Sequence, residues 1–346
     1  MKPAVKTGLR ALYYGMAAAI LLFVVGSSWL TWQANEFLNT SPESPGREVV
    51  IDIPPGSSFD SVARTLLSKG LITDFKKFRM LGRWKEKLGA VKAGEFLLNT
   101  NWKPQQILDV ITSGQAMLHK LFIPEGLTWW QIGHLVEDSG LASFESFEKA
   151  VHNKALLTKF NIPFDNAEGF LFPNTYLLPR PRAKDAEPIV RSMLSAFWRH
   201  VGDKLWPTGP PSPDQLARVV ILASMVEKET GADVERERIA GVFANRIRKR
   251  MLLQCDPTVI YGLGTAFDGN LTRSHLKDKS NPYNSYALGG LPPGPICSPG
   301  LRSLESAATP EQHSLLYFVA KGDGTHQFSS SLKEHNLAVK KFQLHR

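Results

Sequence analysis

The stretch Ala223 to Gly231 (ASMVEKETG) ends an apolar run in Glu227 and Glu229, which flank Lys228. A carboxyl group among apolar side chains loses solvation of its charged form, so its pKa rises. Such an acid keeps a proton near neutral pH and can give it to a leaving oxygen. On a helix Glu227 lies about 100° round from Val226, over the apolar stripe. Glu229 projects one turn past Met225, on the flank near Leu222. Helical geometry alone does not choose between them. The plainer alternative is a solvated helix end, with both glutamates and Lys228 in water.

Other chemistries lack their residues. The sequence has no H-E-x-x-H, no Cys-x-x-Cys, no Walker loop and no Gly-x-Ser-x-Gly elbow. Its nine histidines do not fall at metal-ligand spacing, so no metal and no organic cofactor is expected. Cys255 and Cys297 read either as two buried thiols or as a disulfide. Polar candidates for a binding surface follow the glutamates. Gln254 and Asp256 stand in LQCDPTVIYG, and Tyr261, Asn284 and Tyr286 supply rings and an amide. That set suits sugar faces and N-acetyl groups. Each has a structural alternative: Asp256 can cap its own turn, and tyrosines fill ordinary cores.

The acid needs a rigid carrier. LWPTGPPSP (205–213) is a proline-rich break, after which Ser212 can cap a helix, Pro213 fits its first position and Gln215 completes the cap. The helix is predicted to run to about Thr230, stopped by Gly231. Leu216, Val219, Val220, Ala223 and Val226 form one stripe, and Ile221, Leu222 and Met225 widen it, which predicts a largely buried helix. A second helix is predicted over Val234–Met251, with Ile239, Val242, Phe243 and Ile247 inward and Arg236, Arg238, Arg246, Lys249 and Arg250 facing other ways. From Cys255 the chain reads as turns, and the Pro-Gly stretch Leu291–Gly300 as a cleft wall. Then come a hairpin (Leu315–Ala320 and Thr325–Phe328) and a basic final helix.

With 346 residues the chain exceeds one compact core. The net charge of +9 is compatible with several polyanions and names none. Lys2, Lys6 and Arg10 precede an uncharged, mostly apolar run from Ala11 to Trp32. At ~1.5 Å per residue it spans a ~30 Å hydrocarbon core. Tyr13 and Tyr14 at one end and Trp29 and Trp32 at the other suit the interfaces. The leading cations predict a cytoplasmic N-terminus with the rest outside. Residues 1–35 are thus a predicted anchor, with a cleaved signal peptide as the competing reading that the bulky Leu30-Thr31-Trp32-Gln33 speaks against, and 36–47 a polar linker.

An internal echo follows. IDIPPGSSFDSVARTLLSKGL and LFIPEGLTWWQIGHLVEDSGL share Ile-Pro, a glycine, an amphipathic helix and a closing Gly-Leu. A weaker match pairs Gly94–Leu97 with Glu168–Leu171. The expectation is a small α+β module at 48–118 and a second unit at 119–346, whose residues 119–200 repeat the module.

ILASMVEKETGADVERERIAGVFANRIRKRMLLQCDPTVIYGLG and YNSYALGGLPPGPICSPG, with IPEGLT and AEGFLFPNTY, resemble the YceG-like family of endolytic murein transglycosylases. The resemblance implies a mixed α+β catalytic domain behind a LysM-like module and an inner-membrane anchor. It implies a periplasmic lyase that cleaves peptidoglycan glycan strands between N-acetylmuramic acid and N-acetylglucosamine, leaving 1,6-anhydro ends. By that resemblance Glu229 is the catalytic acid, Glu227 the runner-up, and Gln254, Asp256, Tyr261, Asn284 and Tyr286 the substrate contacts. Cys255 departs from the family's usual serine or threonine. Partners would be glycan strands, the inner membrane and peptidoglycan synthases, not nucleic acid. A hydrolytic muramidase using Glu229 with Asp256, or a non-catalytic wall-binding scaffold, are the rival readings.

Overall fold

The computed structural model describes residues 3–181 and 184–344, with side chains in the first helix described from Leu12 onward. Lys2 lies outside the described residues, and Lys6 and Arg10 are described by backbone only. The chain divides into two compact units, Met1–Leu118 and His119–Arg346.

The first unit opens with helix α1 (Pro3–Asn39). Its segment Leu12–Asn39 is long and apolar enough to cross a membrane. Strand β1 (Glu48–Ile53) turns Val49, Ile51 and Ile53 inward and pairs antiparallel with β2 (Gly94–Asn99), Ile51 opposite Phe96. Between the strands lie α2 (Phe59–Ser68) and α3 (Phe75–Trp84). Ser58 caps α2 by accepting from Ser61 N–H, and Asp74 caps α3 by accepting from Lys77 N–H. Helix α4 (Pro104–Ser113) closes the core with Ile107, Leu108 and Ile111. The expected linker over residues 36–47 is not a free tether. Phe37 is only 6% exposed within this core, and Glu43 accepts from the Thr100 hydroxyl at 2.7 Å.

The second unit repeats the opening. Strand β3 (His119–Ile123) pairs antiparallel with β4 (Asn174–Leu178) around α5 (Trp129–Asp138), α6 (Phe144–Val151) and α7 (Lys154–Lys159). The echo in sequence is therefore an echo in connectivity. Its matched glycines do one job in each copy. Gly56 and Gly126 have φ of +74° and +78°, and Gly70 and Gly140 have +71° and +70°. These left-handed turns favour glycine. The weaker match is not structural: Gly94–Leu97 lies in β2, whereas Glu168–Leu171 lies in turns before β4.

After β4, α8 (Glu187–Phe197) runs through a π-helical turn into α9 (Asp203–Leu205). Helix α10 (Pro213–Glu229) follows, with Ser212 accepting from Gln215 N–H and Thr230 leaving the helix as extended backbone. Eight of the eleven residues from Leu216 to Val226 are buried, including every one from Val220 on, making α10 the central rod of this unit. Helix α11 (Arg236–Arg248) lies beside it. Arg236 and Arg246 do not face away as expected; both are under 10% exposed, because each is sheathed in acceptors. The turn-rich region also forms helices α12 (Asp256–Leu263), α13 (Arg273–Lys277) and α14 (Leu301–Ala308). Strands β5 (Tyr317–Ala320) and β6 (His326–Ser329) form an antiparallel hairpin against α15 (Leu332–Gln343). The result is a mixed α+β protein with three two-stranded sheets among the described residues.

Candidate active site

The two glutamates at the end of α10 part company. Glu227 Oε2 accepts from Gly300 N–H at 3.0 Å and from the Ser303 hydroxyl at 2.6 Å, at the start of α14. Arg236 lies 3.6 Å from its other oxygen. All of these partners are structural, so Glu227 fastens α14 and α11 to α10. Glu229, the last residue of α10, instead lines a cleft of about 410 Å³.

That cleft is assembled from six pieces of chain, counting the end of α10 itself. The segment before α12 alternates in burial, with Gln254 in a left-handed conformation at φ +52°. Leu253 and Cys255 are buried at 1% each, while Gln254 and Asp256 point outward into the cleft. Arg246, from α11, pins this segment by donating to Leu253 O at 2.9 Å and to Gln254 Oε1 at 3.3 Å. It also donates to Leu316 O at 2.6 Å, which ties in the hairpin. Tyr286 comes from the long loop and donates its phenol to Asp256 Oδ1 at 2.5 Å. The far wall is β5, His326 of β6, and His335 and Val339 of α15.

Burial is the main influence on Glu229, and it raises the carboxyl above its ordinary range. The Cys255 thiol, hydrogen-bonded to that carboxyl, pulls in the opposite direction. Asp256 adds to the rise, whereas His326 and Arg246 oppose it. His326 is itself held: its N–H donates to both Glu235 oxygens at 3.1 Å, and its Nδ1 lies 2.7 Å from Oε2. A carboxylate only accepts, so Nδ1 carries the hydrogen and the ring is fixed in one tautomer.

Of the expected contacts, Gln254, Asp256 and Tyr286 therefore join Glu229 at one cleft. Tyr261 and Asn284 do not. The Tyr261 hydroxyl bonds to the buried Glu168, and its ring packs on Trp130 and Tyr283 at 5.0 and 4.8 Å. Asn284 is 0% exposed, and its amide donates to the carbonyls of His275, Leu276 and Asp278. An amide consumed by three carbonyls has nothing left for a sugar. The Pro-Gly stretch also misses the Glu229 cleft. Ile296 N–H donates to Ser224 Oγ, which lays this stretch against α10 on the Glu227 side. The cysteines are both free and buried.

Sequence reasoning missed Arg246, His326, Glu235 and His335. The signal for His326 was its place right after the hairpin turn, at the start of a strand, where a side chain must face either core or cleft. Among the described residues, no group of His, Cys, Asp and Glu could hold a metal ion.

Comparison with known proteins gives this arrangement a context. A family model for the YceG-like family matches residues 51–341. The endolytic murein transglycosylase of Bacillus subtilis (strain 168) is 30% identical over 309 residues, which cover 85% of this chain and 84% of the relative. The protein of the same name from Streptococcus pneumoniae serotype 2 is 26% identical over 84% of this chain, which spans 58% of that longer relative. A crystal structure of a YceG-like protein from Listeria monocytogenes matches with a TM-score of 0.56 and 29% identity, covering 84% of this chain and 98% of that one. With its family model matched across most of its length, the chain belongs to the YceG-like family.

Proposed function

We propose that this protein is an endolytic peptidoglycan transglycosylase with Glu229 as its single acid and base. The observation that carries the proposal is the position of Glu229. It ends a rigid buried helix at a cleft, while its neighbour Glu227 is committed to structural bonds. The names of the relatives from B. subtilis and S. pneumoniae agree with it.

The neutral carboxyl protonates the glycosidic oxygen as the bond to C1 of N-acetylmuramic acid breaks through an oxocarbenium-like state. The same carboxylate then takes the proton from the C6 hydroxyl of that sugar, and O6 closes on C1. The products are a 1,6-anhydro-N-acetylmuramyl end and a free N-acetylglucosamine 4-hydroxyl. No water enters, and no second carboxylate acts, unlike the two-carboxylate hydrolases. Exclusion of water from the cleft is what lets O6 compete. Gln254, Asp256 and Tyr286 bind the glycan, Asp256 and Tyr286 as a hydrogen-bonded pair.

The setting follows from the same reading. Helix α1 is a single-pass inner-membrane anchor with a cytoplasmic N-terminus, and both folded units are periplasmic. The first unit is a LysM-like module, supported by its strand–helix–helix–strand order. Cleavage of strands during their synthesis would terminate elongation, in association with peptidoglycan synthases.

One second reading has a specific basis. Asp256 lines the same cleft as Glu229, as a hydrolytic muramidase would need. Product mass separates the two. Full-length protein in detergent, given uncrosslinked glycan strands, should release ends one water lighter than hydrolytic ends. Ends carrying that water would establish the muramidase, and glycan binding without new ends would establish a wall-binding scaffold.

A further inference from the structure

Helix α3 presents a surface that, apart from the ion pair of Arg79 with Asp60, the fold of its unit does not use. Lys76, Lys77, Arg79 and Arg83 put four cations on ten residues that contain no acid. Between them Met80 and Trp84 stand 70% and 71% exposed, one turn apart on one face. The opposite face of the same helix is buried, through Phe78, Leu81 and Gly82. So α3 is amphipathic twice over, with an inner apolar face and an outer apolar strip bordered by cations.

The outer strip has a specific neighbour. Met80 and Trp84 line an apolar groove of about 320 Å³ whose other side is α1, from Leu30 to Leu38. Phe37 anchors that end of α1 in the core of the unit, so the helix and the module move together. The uncharged run of α1 ends near Trp32, and both Trp29 and Trp32 are exposed. Tryptophans at a span's end mark the boundary between hydrocarbon and headgroups. The groove therefore begins at the depth of that boundary. A basic helix offering Met and Trp at that depth has the composition of an interfacial membrane helix.

We infer that the outer face of α3 lies on the bilayer, with Met80 and Trp84 in the interface and Lys76, Lys77 and Arg83 on anionic lipid headgroups, while Arg79 pairs with Asp60 at 2.8 Å. The inference rests on reading α1 as a membrane span. The module is then held at the outer end of the span in one orientation instead of swinging on a tether. The 6% exposure of Phe37 and the bond from Thr100 to Glu43 already remove the slack that a tether would need.

The test uses the full chain in nanodiscs containing phosphatidylcholine and phosphatidylglycerol. Cys255 and Cys297 are buried, so an environment-sensitive fluorophore reports on an introduced thiol. Four variants suffice: Val24→Cys within the span, Met80→Cys, Trp84→Cys, and Val50→Cys on the exposed face of β1. Iodide quenches from water, lipids brominated near the headgroup quench at the interface, and lipids brominated towards the end of the acyl chain quench at the depth of residue 24. The expected result is that labels at residues 80 and 84 resist iodide severalfold better than the label at residue 50 and are quenched by the lipid brominated near the headgroup. Quenching of the residue 24 label by lipid, with labels at 80 and 84 as open to iodide as that at 50, overturns the inference and leaves the span standing. No lipid quenching at residue 24 overturns both. Labels at 80 and 84 that are shielded from iodide yet untouched by lipid overturn it in favour of a protein on this face, such as a second copy.

Discussion

Ser303 Oγ lies 2.6 Å from Glu227 Oε2, and this contact takes the first glutamate of the Val-Glu-Lys-Glu phrase out of the cleft. The bond joins residues 76 positions apart and makes Glu227 a clasp between α10 and α14. Two substitutions with the same chemistry should then have different consequences. Glu229→Gln is expected to lower glycan cleavage by about 10²–10⁴-fold, the usual worth of a positioned general acid, with the fold intact. Glu227→Gln keeps one acceptor and loses the charge beside Arg236. It is expected to cost about 1–3 kcal/mol of stability while the cleft keeps its acid. Cleavage rates and thermal melts on the same two preparations check both. Loss of cleavage in a stable Glu227→Gln protein would exchange the two roles.

Cys255 offers a finer test of the acid. Its thiol bonds to Glu229 and favours the ionised carboxylate, against the larger effect of burial. A hydroxyl is a stronger donor than a thiol. Cys255→Ser should therefore lower the Glu229 pKa, and Cys255→Ala should raise it. The proposed reaction needs the protonated acid first, so activity should fall as pH rises through that pKa. The alkaline limb of the pH–rate profile should move to lower pH in the serine variant and to higher pH in the alanine variant. Identical limbs in all three proteins would mean that Glu229 is not the group titrating there.

How far this site could be read in advance depends on the range of the interactions that make it. Helix α10 was legible because its start and its burial are local, carried by Ser212, Pro213 and an apolar cylinder. The repeated glycines were legible for the same reason, since a left-handed turn is a property of one residue. The choice between Glu227 and Glu229 was not local. It is made by Gly300 and Ser303, which meet α10 only in the folded chain. Asn284 misled because an amide's chemistry suits a sugar and a carbonyl cage equally well. Arg246 misled because a helix wheel counts cations as solvent-facing, whereas this one finds carbonyl acceptors on two other segments. The far wall of the cleft comes from a hairpin and the last helix, whose approach to α10 no periodicity encodes.

Glu168 predicts a pH dependence of stability separate from catalysis. It is 1% exposed, and burial pushes its carboxyl from 4.5 up to about 8. Bonds from Trp129 N–H, Gly169 N–H and the Tyr261 hydroxyl oppose that rise without cancelling it. A carboxyl whose pKa is higher in the folded state contributes most when protonated. Its contribution is full below pH 4.5 and is lost as pH rises through about 8. Across that window the linkage reaches at most about 1.4 kcal/mol per pH unit. Glu168→Gln cannot titrate and should lack this component. Melting curves of both proteins between about pH 5 and pH 9 should show the wild type losing stability relative to the variant. Parallel curves would mean that the three donors hold Glu168 as an ordinary carboxylate.

The pair His326 and Glu235 carries the last prediction. Glu235 takes the backbone N–H and Nδ1 of His326 together, so both main chain and ring are fixed at the lip of the cleft. The ring lines the cleft with its other nitrogen free to meet a glycan, and His326 opposes the rise in the Glu229 pKa. Glu235→Gln preserves size but offers one acceptor where two served, and it frees the tautomer. Misplacing a group that orients substrate costs up to about 10²-fold. The expected outcome is a fall of ~10–100-fold in kcat/KM for glycan cleavage, with Glu235→Asp recovering part of it. A purely structural role for Glu235 would instead lower the melting temperature and leave kcat/KM of the folded fraction unchanged. Measuring both quantities on each variant, together with His326→Gln, separates a positioning pair from a structural one. With Nδ1 holding the hydrogen, Nε2 is an acceptor, and His326→Gln can place its amide oxygen there, so its activity should exceed that of His326→Ala if hydrogen bonding to the glycan is what the ring supplies.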